Sequence, residues 1–123
     1  AVSLVVAGVS ILNVMLMSVT ERTKEIGILR SIGTRRKEVM RMFIYEALIL
    51  GLVGAVIGGV LSFCAGYVTT AVFVGNPDYL FHPKSLLYIF FGMAFGVITS
   101  VASGLYPAWK AAHLNPIEAL RYE

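Results

Sequence analysis

Three long stretches of this chain carry almost no charge, while most of its charged residues crowd between the first two, a segregation no water-soluble surface tolerates. The first stretch, residues 1–19, holds no ionisable side chain. At about 1.5 Å per residue it reaches roughly 29 Å as a helix, the hydrocarbon thickness of a bilayer. Between Met42 and Pro77 the only acid or base is Glu46, so a second span is predicted over 39–74. It is longer than a perpendicular crossing needs, and tilt or extension beyond the bilayer absorbs the excess. The third stretch, 85–109, is uncharged and ends at Tyr106, Pro107 and Trp109, where aromatic rings suit the headgroup belt.

Composition agrees: 58% of the residues are hydrophobic and 14% charged, against about a quarter charged in a soluble domain. Cys64, the one cysteine, lies in an apolar run and reads as a small filler, which excludes a disulfide framework and a cysteine-based metal site. The N-terminal residues lack the basic start and cleavage pattern of a signal peptide.

Orientation follows from Lys and Arg. Positions 21–41 hold seven basic and three acidic residues, the connector 75–84 holds only Lys84, and the tail 110–123 holds Lys110 and Arg121. The positive-inside rule puts loop 20–38 and the tail in the cytoplasm. Three spans then leave the N-terminal end outside, which predicts continuation upstream into an external domain and another helix.

Small residues recur at i, i+4 spacing: Gly54, Gly58, Ser62 and Gly66 in the second span, with Ala47, Gly51, Ala55 and Gly59 beside them, and Gly92, Gly96, Ser100 and Gly104 in the third. In lipid, close approach at small residues is the main source of helix association, so these ladders are expected to be contact faces with each other or with a partner. Gly58→Leu or Gly96→Leu is expected to separate them. Glu46, one turn inside the basic loop, is assigned a structural or snorkelling role, reaching the interface or Arg41.

Within the loop, Ser18-Val19-Thr20-Glu21 has capping-box spacing, so a new helix can begin there; alternatively the first helix continues through it. Ile26, Leu29 and Ile32 recur at three-residue intervals among charged neighbours, the pattern of a short amphipathic helix. Gly33 is a suitable stop, and Thr34 can cap the next helix. The basic first turn Arg35-Arg36-Lys37 opposes the helix dipole and is best explained by anionic headgroups. The short helix either lies on the membrane or presents Ile26, Ile28 and Leu29 to a partner's groove. In the tail, Asn115, Pro116 and Glu118 form a capping signal for a short helix, and Pro107 is expected to kink or end the third span.

The run from Ser18 to Gly33, SVTERTKEIGILRSIG, resembles the cytoplasmic loop of FtsX-like permeases of the MacB type. The ending GLYPAWKAA followed by NPIEALRYE, with Pro107, Asn115, Pro116, Glu118, Leu120 and Arg121, is similar to that family's C-terminal element. The resemblance covers nearly the whole chain and is least distinctive over 76–84. It implies an all-α membrane protein: three transmembrane helices, a short cytoplasmic coupling helix and a short C-terminal cytoplasmic helix. These would be spans two to four of four, a large extracytoplasmic domain lying between the first two.

The resemblance further implies that Glu21, Arg22, Lys24, Glu25, Ile26, Gly27, Ile28, Leu29, Arg30 and Gly33 dock on a cytoplasmic ATPase subunit. ATP-driven closure would move two permease copies, passing work up the helices toward an extracytoplasmic partner. ATP and Mg would belong to the ATPase. The chain contains no Gly-Lys pair, hence no P-loop. No catalytic constellation, metal site, bound cofactor or nucleic-acid surface is expected, and His82 and His113 fall on opposite sides of the expected membrane. The function implied is that of an ABC-transporter permease in the cell membrane; the alternatives are a regulatory permease of the same type, signalling to cell-wall enzymes or a sensor kinase, and a small adaptor that meets no ATPase.

Overall fold

The computed structural model describes residues 1–115 and Ile117, and among these every regular element is helical. α1 spans Val2–Glu21, α2 Thr23–Ser31, α3 Arg36–Thr69 and α4 Pro83–Ala112. α3 is extended by a π-helical turn, Thr70–Val74, so that three helices of 20, 39 and 30 residues are long and apolar enough to cross a membrane. The chain is an all-α, multi-pass membrane protein.

Local chemistry explains the breaks. Gly75 takes φ +69°, a conformation that costs glycine little, and ends the second span. Asn76 then caps the 3-10 turn Pro77–Phe81, its Oδ1 accepting from the Asp78 N–H at 3.1 Å. Pro83 opens α4, where its missing N–H is harmless. The connector is held against α3: Leu80 is buried over Gly66, and the Phe63 and Phe81 rings meet edge-on at 5.8 Å.

α4 packs along both other spanning helices. On α3 its partners run in opposite order, with Gly104 beside Ala47, Ser100 beside Gly51 and Met93 beside Gly59, so the two are antiparallel. Gly8 of α1 lies against Ser103 and Thr99. The buried core is concentrated at one end, where Met15 and Val19 of α1, Ile26 of α2, Val39, Phe43 and Ala47 of α3 and Ala108, Ala111 and Ala112 of α4 form one cluster. Elsewhere large apolar side chains such as Ile57, Leu61, Phe90 and Ile98 face outward. Hydrocarbon is the solvent for such a surface.

Several expectations change. No capping box forms at Ser18–Glu21; α1 runs through it, the Ser18 carbonyl accepting from the Arg22 N–H. Arg35, not Thr34, is the N-cap of α3, and it has no side-chain cap. Pro107 does not end the third span, because α4 continues to Ala112 and Pro107 is buried inside it. The tight ladder is the second of the two on α3: Ala47, Gly51 and Gly59 meet α4, while an added Cβ at Gly54, Gly58, Gly92 or Gly96 would meet nothing within 4 Å. Those four glycines line an open groove of about 550 Å³ whose α1 wall is Ala7 and Ile11. Cys64 faces outward rather than filling a core. Of the tail, Asn115 Oδ1 accepts from the Ile117 N–H at 3.1 Å; Pro116, Glu118, Leu120 and Arg121 lie outside the described residues.

Exposed tyrosine and tryptophan rings of the spanning helices fall at two levels. The α3–α4 pairing sets Tyr45 beside the turn holding Tyr106 and Trp109, and Tyr88 near the turn before Tyr67; all five are outward-facing. Tyr45 and Tyr67 are separated by about 33 Å of helix, and Tyr88 and Tyr106 by about 27 Å. That spacing matches the two interfaces of a bilayer.

Candidate functional site

α2 follows α1 after a one-residue break. Arg22 has φ −96° and ψ 10°, yet its N–H donates to the Ser18 carbonyl and its own carbonyl accepts from the Ile26 N–H. Thr23 Oγ1 donates to the Val19 and Thr20 carbonyls at 3.0 and 2.9 Å, tying the first turn of α2 to the last turn of α1. The far end of α2 closes in a Schellman motif. Gly33, at φ +98°, donates to the Arg30 carbonyl at 3.3 Å, and Thr34 donates to the Leu29 carbonyl at 3.1 Å. Arg30 Nη1 braces this turn, donating to the Thr34 carbonyl at 3.3 Å.

The two faces of α2 differ. Ile26 is 3% exposed and seated among residues of all three spanning helices, and Gly27 is buried beside it. Ile28 is 45% exposed and Ile32, one turn on, 74%, with Glu21, Lys24, Glu25 and Ser31 exposed around them and Leu29 half-buried. The sequence-based grouping of Ile26 with Ile28 and Leu29 as one outward face is therefore corrected. Ile26 points into the joint of the bundle and cannot also fill a partner's groove. The outward face is the Ile28–Ile32 pair with its charged rim.

Arg22 also reaches across the bundle, its Nη1 lying 3.6 Å from Glu46 Oε2 on α3. Sequence reasoning offered Glu46 the interface or Arg41, and the partner it has is twenty-four positions away. Directly after Glu46, the Ala47 carbonyl accepts a buried 2.6 Å hydrogen bond from Ser100 Oγ of α4. At the bundle's same end the Trp109 ring stacks on His113, centroids 4.6 Å apart, and the His113 Nδ1–H donates to the Trp109 carbonyl at 2.9 Å. Among the described residues, no group of three or more His, Cys, Asp or Glu side chains stands together to hold a metal ion.

Three apolar spans, with a short helix bearing an outward apolar stripe between the first two, define a helical membrane-protein segment. The sequence matches the FtsX-like permease C-terminal family over residues 1–116, and the chain belongs to that family. It is 39% identical over 122 residues to an uncharacterized ABC transporter permease, YknZ, of Bacillus subtilis, covering 99% of this chain and 30% of that protein. It is 42% identical over 122 residues to the macrolide export ATP-binding/permease protein MacB 1 of Yersinia pestis, covering 99% of this chain and 18% of that protein. With the corresponding Syntrophobacter fumaroxidans protein the identity is 39%, over 99% of this chain and 16% of that one. The chain thus spans less than a third of each relative's length, and it is a component of an ABC-transporter permease.

Proposed function

We propose that this chain receives the movement of a cytoplasmic ATPase subunit at α2 and passes it into the three spanning helices, for export or for mechanical work outside the membrane. The observation that carries this reading is the division of α2: Ile28 and Ile32 stand free on one side while Ile26 is locked into the shared joint on the other. A partner pressing on the free stripe has a direct path to Met15, Phe43 and Ala108.

The residues for docking are Glu21, Lys24, Glu25, Ile28 and Ile32, with Gly33 and Arg30 fixing where the helix ends. ATP and Mg are held by the ATPase. The basic end faces the cytoplasm, a placement its surplus of Lys and Arg supports, and two permease copies move together as the ATPase closes. Export is supported by the macrolide-export names of two relatives.

The test is capture of the ATPase by the membrane-extracted permease, together with its stimulated ATP hydrolysis. Ile28→Asp or Glu25→Arg is expected to lower both at least tenfold while membrane insertion stays normal, an apolar anchor at an interface centre being worth on the order of 2 kcal/mol. Wild-type values in both variants contradict the docking role.

A further inference from the structure

Arg35, Arg36, Lys37 and Arg41 are all exposed on the first turns of α3, and none pairs with a described acidic residue. Glu38 is the one acid among them, itself exposed and without an ion pair to these four. The nearby cation Arg22 is engaged by Glu46. Four basic groups against one acid leave a local surplus of three, matching the net +3 of the entire chain. The dipole of α3 works against cations at this position, so the cluster is not there to stabilise the helix.

The level of the cluster identifies what meets it. The belt of Tyr45, Tyr106 and Trp109 marks one hydrocarbon boundary, and Arg41 lies one turn beyond Tyr45. Lys37, Arg36 and Arg35 follow within about 15 Å of Tyr45 along the helix, a depth that flexible basic side chains of their length bring into the phosphate layer. Basic groups at phosphate depth, uncompensated by acids beside them, are the chemistry of a membrane-surface contact.

We propose that Arg35, Arg36, Lys37 and Arg41 form a binding surface for the headgroups of anionic phospholipids in the adjoining leaflet. The surface uses none of the outward stripe at Ile28, and so stands whether or not α2 docks on an ATPase. Its effect is to hold the α2–α3 corner at a fixed height on the membrane.

The test uses the permease reconstituted in vesicles of phosphatidylcholine and phosphatidylglycerol, then gently extracted, with the lipids it retains counted by native mass spectrometry. Wild type is expected to retain phosphatidylglycerol several-fold above its share in the vesicle, and this preference is expected to fade in high salt. Arg35→Gln, Arg36→Gln, Lys37→Gln and Arg41→Gln combined should return the retained lipids to the vesicle ratio. Should that variant fail to insert, Arg35→Gln with Arg36→Gln alone should still lower the enrichment clearly. Lys84→Gln with Lys110→Gln, outside the cluster, should leave it intact. Wild type at the vesicle ratio, or undiminished enrichment in the combined or the double variant, overturns the proposal. So does loss of ATPase capture in the combined variant with enrichment unchanged, which would assign the cluster to a protein surface.

Discussion

Ser100 Oγ donates to the Ala47 carbonyl at 2.6 Å across the α3–α4 contact, and the residue it bonds lies fifty-three positions away in the chain. The bond is possible because Gly51 and Gly104 flank it: a Cβ on Gly51 would sit 2.7 Å from that of Ser100, and one on Gly104 would collide with the Ala47 methyl. In lipid such a bond is worth about 0.6 kcal/mol on average and up to about 1.7. Ser100→Ala is expected to cost within that range, read by unfolding in mixed micelles, whereas Ser100→Leu should cost more because it drives the helices apart.

Gly104→Leu should disrupt the bundle, whereas Gly58→Leu should leave this chain's own fold intact, since the Gly58 position opens onto empty groove. Thermal denaturation of the two purified variants checks the contrast. A Gly58→Leu variant as unstable as Gly104→Leu would mean that the open glycines are packed after all.

Ile26→Ala should destabilise the protein by about 2–5 kcal/mol, the range for emptying a buried aliphatic position. Ile28→Ala, on the outward side of the same helix, should cost less than about 0.5 kcal/mol. Equal losses at the two positions would contradict the two-faced arrangement of α2.

Gly33→Ala forces a side chain into φ +98°, at a cost of about 1–2 kcal/mol. The loss should appear as fraying of the last turn of α2, measured as faster hydrogen exchange at the Gly33 and Thr34 positions. Unchanged exchange would show that the Schellman closure is not formed in the membrane.

In a Cys64→Ser background, a single cysteine at Ser31 should react with an impermeant maleimide only after the cell membrane is opened. Labelling of intact cells would place the basic end outside and remove the route to a cytoplasmic ATPase.

The spans and the stops were legible because both are local. Absence of charge over twenty residues needs no partner to be recognised, and Gly33 is demanded by the backbone at its own position. What the sequence left open was rotation. Gly54 and Gly58 form a ladder only about 60° around α3 from that of Ala47, Gly51 and Gly59, and repeat spacing alone does not say which ladder meets α4. The same ambiguity misassigned Ile26, two residues from Ile28 on a helix of nine. The Arg22–Glu46 pair was hidden because its members are joined by folding rather than by spacing. Pro107 was read as a kink or a stop because an isolated helix would yield there; in the bundle Pro107 is buried and α4 runs on to Ala112.

The one-residue interruption at Arg22 bears on how quickly a push is felt. With the Thr23 hydroxyl fastened to two carbonyls of α1 and the backbone ladder resuming at once, α2 is not a pendant on a string. On the proposed reading, a displacement applied at its tip would meet no slack, and would arrive at the spanning helices as torque.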